Sequence, residues 1–428
     1  MQADTRNVSA LLFRRDAARR NPTHSPFRRV TTIHNVMVAG FPEQNFGASD
    51  MKSVRYALLL TAVGVACRAP QADTRWHQES GYRWHQLTVP RHGHAGFTLL
   101  DAAATGLTHR NDVDDEHGLA NRGLLDGAGV ALGDVDGDGR PDIFLASVEH
   151  PAALYHNEGG YRFTDVTKAS GLDFTGIATT SAVLADVDGD GDLDLIVGTF
   201  GGPVKLYLND GKGHFSDATA TSGLSGGYMA TTMTLADVDG NGTLDLYVAT
   251  YKTHNALDVF PPQARSFDQV LKKIGDSVTV NDEWKKEYRV ESRPDLGGFL
   301  RSQRAEPDLF FLNDGKGHFT RQPVTGPRFT DERGRPLKED PDYFSLAAKF
   351  YDVNGDGAPD LYVCNDLEDP DLFWLNDGKG NFRLAPQTAL RVTSNTCMSV
   401  DFADVSRSGR VDIFTSDMLA PTLAAQQR

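Results

Sequence analysis

Basic residues are scarce in this chain: 43 Lys and Arg stand against 58 Asp and Glu, and the 428 residues carry a net charge of -15. Neutralising a phosphate backbone needs a basic surface, so nucleic acid is excluded as a partner. Cysteine is scarcer still, at three, which excludes a disulfide scaffold. No apolar run approaches the roughly 18 residues of a membrane-spanning helix. The 13 His form no HExxH motif, so a zinc hydrolase is not expected. Glycine is abundant at 42 residues, and a 39% apolar content can fill a sizeable core. Length alone allows about three domains of roughly 150 residues, or one large all-β domain.

Residues 1–50 hold seven Arg, no Lys and four acids, a local charge of +3 that leaves -18 for the remainder. Without periodicity or turn signals, they read as a disordered or mis-annotated extension ahead of a true start at Met51. Residues 51–67 have the layout of an export signal: a basic Met51–Arg55, an apolar Tyr56–Ala66 and a small-residue close at Gly64-Val-Ala-Cys67. Cys67 after small residues resembles a lipobox and implies a lipid anchor there, although Gly64 stands where Leu is usual; the same bonds suit an ordinary signal peptidase. Residues 68–93 read as a linker. The expected location is therefore exported, either as an outer-membrane or cell-surface lipoprotein or as a secreted protein, with membrane contact only through Cys67.

Beyond residue 90 the chain repeats itself. A nine-residue string recurs at Asp134 (DVDGDGRPD), Asp186 (DVDGDGDLD), Asp237 (DVDGNGTLD) and Asp352 (DVNGDGAPD), with a worn copy, DVSRSGRVD, at Asp404. The starts are 52, 51, 115 and 52 residues apart. Each copy runs into a β-branched or aromatic stretch that reads as a buried strand. A second signature follows: Leu154–Asn157, Leu206–Asn209, Phe310–Asn313 and Phe373–Asn376, three of which continue as Asn-Asp-Gly-Lys-Gly. Asn, Asp and Gly tolerate positive φ, so these are hairpin turns. Four short strands in about 52 residues make a propeller blade.

The expected fold is thus an all-β β-propeller of about five visible four-stranded blades over residues 94–428. The long spacing marks an insertion at 251–306, mixed in character, with Ser266–Ile274 reading as a short helix. A smaller addition lies around Pro323–Asp342. Insertions in repeat proteins project from one face, often the binding face. Phe97–Leu107 matches the closing half of a blade, and the Asp404 copy the opening half. Two arrangements remain: the halves pair and close a five-bladed ring, or the chain is an incomplete seven-bladed ring with an open apolar edge near Ile413.

Numbering each loop from 1 to 9, the side chains at 1, 3, 5 and 9 can converge on a hard cation. Calcium takes six to eight oxygens in flexible geometry. The candidate ligands are Asp134, Asp136, Asp138 and Asp142; Asp186, Asp188, Asp190 and Asp194; Asp237, Asp239, Asn241 and Asp245; and Asp352, Asn354, Asp356 and Asp360. An EF-hand would need Glu at position 12, where Leu145, Val197, Val248 and Val363 stand. Carboxylates packed this closely repel without a cation. In the fifth loop Ser406 and Ser408 replace two of them.

These loops and the strands after them resemble the FG-GAP/VCBS repeats of integrin-α-like β-propellers, over roughly residues 94–418. More narrowly, Asn365–Asp371, Thr393–Asp401 and Asp412–Met418 are similar to bacterial relatives of cartilage acidic protein. The resemblance implies an extracytoplasmic, calcium-dependent propeller, and a further ASPIC-type domain that the residues up to Arg428 do not include.

The expected function is a non-enzymatic binding or adhesion module for a glycan or a protein. The competing reading is an extracytoplasmic hydrolase or lyase, which would draw on His254, Glu283, Tyr288 and Arg293 of the insertion. Cys364 and Cys397 suit either a disulfide or, since Cys397 occupies the column of Gly127, Thr179, Ala230 and Ser345, a small packing position; the column favours the second.

Overall fold

The apolar stretch behind each Asp loop forms a strand, and in three blades it is buried along its whole length: Asp194–Thr199, Asp245–Thr250 and Asp360–Asn365. The structure is a computed structural model. It describes residues 8–13, 30–33, 77–79, 82–84 and 97–418 apart from 276, 294–297, 367–368, 391–392 and 395. The export signal and Cys67 lie outside the described residues, as does most of the 68–93 linker. Within that linker His77–Glu79 and Tyr82–Trp84 form a hairpin, in a separate unit spanning residues 37–101.

Blade one pairs Val130–Gly133, Asp142–Leu145, Ala153–Gly159 and Arg162–Asp165 in that order, all antiparallel. Blade two repeats the pattern with Thr179–Ala185, Asp194–Thr199, Lys205–Asn209 and Phe215–Asp217. Blade three uses Ala230–Ala236, Asp245–Thr250, Leu309–Asn313 and Phe319–Gln322, with the insertion between its second and third strands. Blade four uses Ser345–Tyr351, Asp360–Asn365, Leu372–Asn376 and Phe382–Leu384. The all-β propeller architecture read from the repeats is present.

The core lies between blades, because each sheet is apolar on both faces. One cluster joins blades one and two through Phe144, Leu154, Phe174 and Tyr207; the next joins two and three through Ile196, Leu206, Leu246 and Phe311. Tyr247, Phe310, Phe350 and Trp374 join three and four, and Tyr362, Phe373, Phe402 and Ile413 join four and five.

Four features differ from expectation. The Pro323–Asp342 addition is no free loop: Gly326–Thr330 pairs parallel with Phe382–Leu384 and widens blade four to six strands. The short helix expected at 266–274 is one turn, Phe267–Val270, followed by the strand Leu271–Ile274. Val270 and Leu271 are both needed in a small core with Val280, Trp284 and Tyr288, and adjacent buried residues suit a turn-to-strand change better than one helix face.

In blade five, Cys397–Ala403 and Asp412–Met418 are extended by Val8–Phe13 and then Val30–Ile33. The edge expected to receive the Phe97 half-blade is therefore taken by a strand from residues 1–50. Residues 97–101 form no strand. Gly106 nevertheless keeps a repeat position: like Gly171 and Gly223 it has positive φ and presses on the carbonyl of an outer-strand Phe, here Phe163.

The fourth difference is a disulfide between Cys364 and Cys397. Cys397 does occupy the expected column, as the first residue of its blade's first strand. The equivalent of Cys364 in blade two is Gly198, and a Cβ there would touch Ala230, the equivalent of Cys397 in blade three. The two columns thus face each other between blades two and three and between blades four and five, where small residues fill the first boundary and a disulfide the second.

Candidate metal centre

Position 1 of each loop shapes the backbone. Asp134 accepts from the N–H groups of Gly137, Asp138 and Gly139 at 2.9, 3.1 and 2.8 Å. Asp237 and Asp352 do the same for Gly240, Asn241 and Gly242 and for Gly355, Asp356 and Gly357. Asp186 holds Gly189 and Gly191. This wrapping puts position 4 at positive φ, between 75 and 82° at Gly137, Gly189, Gly240 and Gly355.

Position 9 anchors the loop to the blade. Asp142, Asp194, Asp245 and Asp360 are at most 1% exposed. One oxygen of each accepts from the N–H at position 2: Val135, Val187, Val238 and Val353, at 3.0–3.2 Å. The other accepts from the N–H of the turn asparagine: Asn157, Asn209, Asn313 and Asn376, at 2.8–2.9 Å. Burial pushes the Asp194, Asp245 and Asp360 carboxyls up to about 6 and raises Asp142 as well.

The turn asparagines also lock neighbouring blades together. Asn209, Asn313 and Asn376 donate from Nδ2 to the position-2 carbonyls of the preceding loop, Val135, Val187 and Val238, at 2.8, 2.8 and 2.9 Å. The sequence marks these asparagines as turn residues; their second role needs two repeats side by side.

In loops two to four positions 3 and 5 hold local turns, as in Asp190 N–H to Asp188 and Asp192 N–H to Asp190. Their carboxylates instead add to the cluster. Oxygens of Asp186, Asp188 and Asp194 lie within 4.8 Å of one another, as do those of Asp237, Asp239 and Asp245 and of Asp134, Asp136 and Asp138. Burial, followed by the Asp190 charge, raises the Asp188 carboxyl. Asp352, Asp356 and Asp360 keep the same backbone bonds without forming such a group among the described residues. In loops two and three the donors are hard oxygens with no ion pair to a base among the described residues, a set that fits a divalent cation, whereas in loop one Arg140 pairs with Asp138.

Loop one departs from the pattern. His156 replaces the leucine of the other turns (Leu208, Leu312, Leu375), and its Nδ1 lies 3.1 Å from Asp136 and 3.2 Å from Asp142. Asp136, Asp142 and His156 form a second group there.

The fifth loop supplies the contrast. Asp404 holds Ser408 and Gly409 at 2.7 Å each, and Asp412 holds the Ser406 N–H at 3.3 Å. The loop shape survives with serine at positions 3 and 5.

The insertion residues considered for catalysis do not share one site. Tyr288 is 3% exposed, packed between Trp284 and the Arg301 guanidinium, whereas His254 and Glu283 are solvent-exposed. The side chain of Arg293 lies outside the described residues. Of the buried acids outside the loops that escaped the sequence reading, two sit under a tyrosine of their own blade. Asp308 accepts from Tyr247 Oη, Thr250 N and Ser345 Oγ, and Asp371 from Tyr362 Oη and Asn365 N. Burial pushes both carboxyls up to about 7. Their signal was a paired change: Tyr and Asp appear together in blades three and four, where blades one and two have Phe144 with Ala152 and Ile196 with Val204.

Residues 134–197, 186–248 and 352–415 match the family described as FG-GAP-like repeat. Cartilage acidic protein 1 of Mus musculus is 29% identical over 160 residues, covering 36% of this chain and 24% of that protein. The Xenopus tropicalis protein is 31% identical over 155 residues, covering 35% and 24%. The chain thus spans about a quarter of the length of the curated relatives it matches. Among solved structures, the GH43_1 enzyme from Xanthomonas citri shares 13% identity at a TM-score of 0.31, covering 69% of this chain and 88% of that one. An Agrocybe aegerita lectin structure shares 21% identity at a TM-score of 0.22, covering 59% and 63%.

Proposed function

We propose that this chain of FG-GAP-like repeats is an exported, calcium-braced propeller that acts as a non-enzymatic binding module for a glycan or a protein. One observation carries the calcium reading: in loops two and three the carboxylates of positions 1, 3 and 9 converge within 4.8 Å of one another, with no ion pair to a base among the described residues, while the fifth loop keeps its wrap around Asp404 with serine at positions 3 and 5. Retaining paired like charges at about 5 Å is unfavourable unless a cation offsets them. Calcium would be held by Asp186, Asp188, Asp190 and Asp194, by Asp237, Asp239, Asn241 and Asp245, and by the corresponding residues of the first and fourth loops. Bound calcium supplies charge neutralisation. The protein's own contribution is to pre-set position 1 through two or three backbone N–H groups and position 9 through two. Braced loops hold one face of the propeller rigid, which lowers the ordering cost of binding.

The test is calorimetric titration of the full chain with calcium chloride, with melting followed in parallel. Each filled site adds about 2.7 kcal/mol at a hundredfold excess over its dissociation constant. A melting temperature unchanged between chelator and millimolar calcium rejects the calcium reading. Glycan and matrix-protein arrays, probed with and without chelator, test the module: calcium-dependent binding without turnover is expected, and cleavage of an arrayed ligand supports the hydrolase or lyase instead. Export is supported by the Met51–Cys67 segment. Expression from Met51 should give a membrane-associated product that Cys67→Ser releases, and retention in the cytosol rejects export.

A further inference from the structure

On the side of the propeller away from the Asp loops, a cavity of about 240 Å³ lies between the insertion and blade four. Its polar lining includes Arg289, Arg304 and Trp374 together with the acids Glu291, Glu339, Asp340 and Asp342, and Leu337, Leu372 and Leu384 supply apolar wall. Three buried N–H groups in this lining lack an acceptor: Trp374 Nε1, Arg289 Nε and Arg304 Nε. Trp374 is 1% exposed and the Arg289 side chain 10%. Both Arg289 terminal nitrogens and Arg304 Nη1 are committed. Arg289 Nη1 reaches the Gln303 carbonyl at 3.0 Å and Asp342 at 3.2 Å, its Nη2 pairs with Asp369, and Arg304 Nη1 pairs with Asp342. Arg289 Nε stands 3.5 Å from Glu291, beyond a good hydrogen bond. Buried donors left without acceptors are rare in folded proteins and point to an unseen partner.

We propose that this cavity is a carbohydrate subsite for one neutral pyranose, a reading that rests on the binding-module function above and names its ligand class. Charge decides against an anion, because Glu291, Glu339, Asp340 and Asp342 outnumber Arg289 and Arg304 around the cavity. A cation would suit those carboxylates but offers nothing to the three unmet N–H groups. A purely apolar ligand would leave them unmet as well. Hydroxyl groups both accept and donate, so a sugar ring can receive from Trp374 and the arginines while donating to Asp340 and Asp342. The leucines provide apolar wall for the ring's C–H face. The volume falls below the roughly 300 Å³ at which pockets for larger ligands begin, which suits a single ring.

The full chain, in millimolar calcium, is titrated with methyl glycosides of glucose, galactose, mannose, xylose and N-acetylglucosamine, read by saturation-transfer NMR and calorimetry. At least one should bind with millimolar affinity. Trp374→Phe keeps the ring and removes the donor, and should weaken binding at least tenfold. Leu337→Trp alters only a half-buried residue of the wall and should block the cavity with the fold intact by circular dichroism. If the sugar is the end of a glycan, an oligosaccharide carrying it binds at least as tightly as the glycoside; if the ligand is the free sugar, it binds more weakly. Silence across the panel, meaning that water alone meets the donors, overturns the subsite, as does binding unchanged in both variants. Calcium-dependent array binding that survives both variants also overturns the subsite but leaves the module standing. No array binding at all removes the module.

Discussion

The loop that begins at Asp186 and the loop that begins at Asp404 fold alike from different chemistry. Both keep Asp at positions 1 and 9 and Gly at position 6, and both wrap position 1 around backbone N–H groups. They differ at positions 3 and 5, carboxylate against serine, and at position 4, Gly189 against Arg407. The skeleton is therefore separable from the charge: positions 1, 6 and 9 fold the loop, and positions 3 and 5 make it acidic. The separation can be attacked directly.

Asp194→Ala should do the most damage, already in chelator, with the calcium stabilisation of that loop lost on top. It strips acceptors from the buried N–H groups of Val187 and Asn209, each worth about 1–3 kcal/mol, so a loss on the order of 4 kcal/mol is expected. Denaturant unfolding in chelator checks it; a loss that appears only with calcium present would mean that position 9 is a ligand and not an anchor.

Blade five has the worn loop, and among the described residues no asparagine donates to the Val353 carbonyl as Asn376 does to Val238. The Cys364–Cys397 disulfide joins blades four and five at a boundary where the described residues show no such asparagine bond. Closing a loop over a sequence separation of 33 contributes roughly 4 kcal/mol. Reduction should therefore raise amide exchange in Cys397–Ala403 and Asp412–Met418 and leave blades one to three protected. A uniform loss of protection would refute the local role.

Converting the second loop to the chemistry of the fifth, with Asp188→Ser and Asp190→Ser together, sharpens the comparison further. In chelator the variant should melt with the wild type or slightly above it, since a repulsion is gone. With calcium at a hundredfold excess it should miss about 2.7 kcal/mol of stabilisation and one equivalent of bound metal. Equal calcium stoichiometry in the two proteins would break the distinction between skeleton and charge.

The blades themselves divide in the same way, since only three and four bury an acid under a tyrosine. Asp308 keeps its proton up to about pH 7 in the fold, whereas an unfolded aspartate releases it near 3.9. The folded state thus binds more protons between those values, and stability is lost as pH rises through that window. Between pH 5 and 7 the loss from this group is on the order of 2 kcal/mol. Asp308→Asn should flatten the slope of melting temperature against pH, and a slope unchanged by the substitution rules out Asp308 as its source.

What the sequence made legible follows from what repeats. The Asp loops, the turns and the position of the insertion return at fixed spacing, so one copy interprets the next. Contacts between copies are a different matter. That Asn209 reaches Val135, or that the columns of Cys364 and Cys397 face each other, depends on how blades stack, and spacing within one repeat is silent on that. His156 was legible as an exception to a leucine column, but its approach to Asp136 and Asp142 was not. The insertion has no second copy at all, so its two hairpins and the cavity beside them had no template in the chain.

Position 4 is where the comparison gives its smallest and most delicate effect. Four loops place glycine there, and Arg407 adopts φ of 52° in the fifth, the left-handed region that costs a side-chain-bearing residue about 1 kcal/mol. Arg407→Gly removes that strain but adds roughly 0.5–1 kcal/mol of unfolded-state entropy to be lost on folding. The two terms nearly cancel, so the melting temperature should stay the same or rise slightly. The reverse change, Gly189→Arg, gains the strain and gives back the entropy, and should also be close to neutral in chelator, because the nearest atom to a Cβ there is the Gly315 carbonyl at 3.5 Å. Calorimetric titration of both variants then separates backbone from charge. If Gly189→Arg lowers calcium affinity while chelator stability holds, the added guanidinium beside Asp188 and Asp190 is competing with the cation. If chelator stability falls by several kcal/mol instead, the left-handed position is required by the second loop in a way that the fifth has escaped.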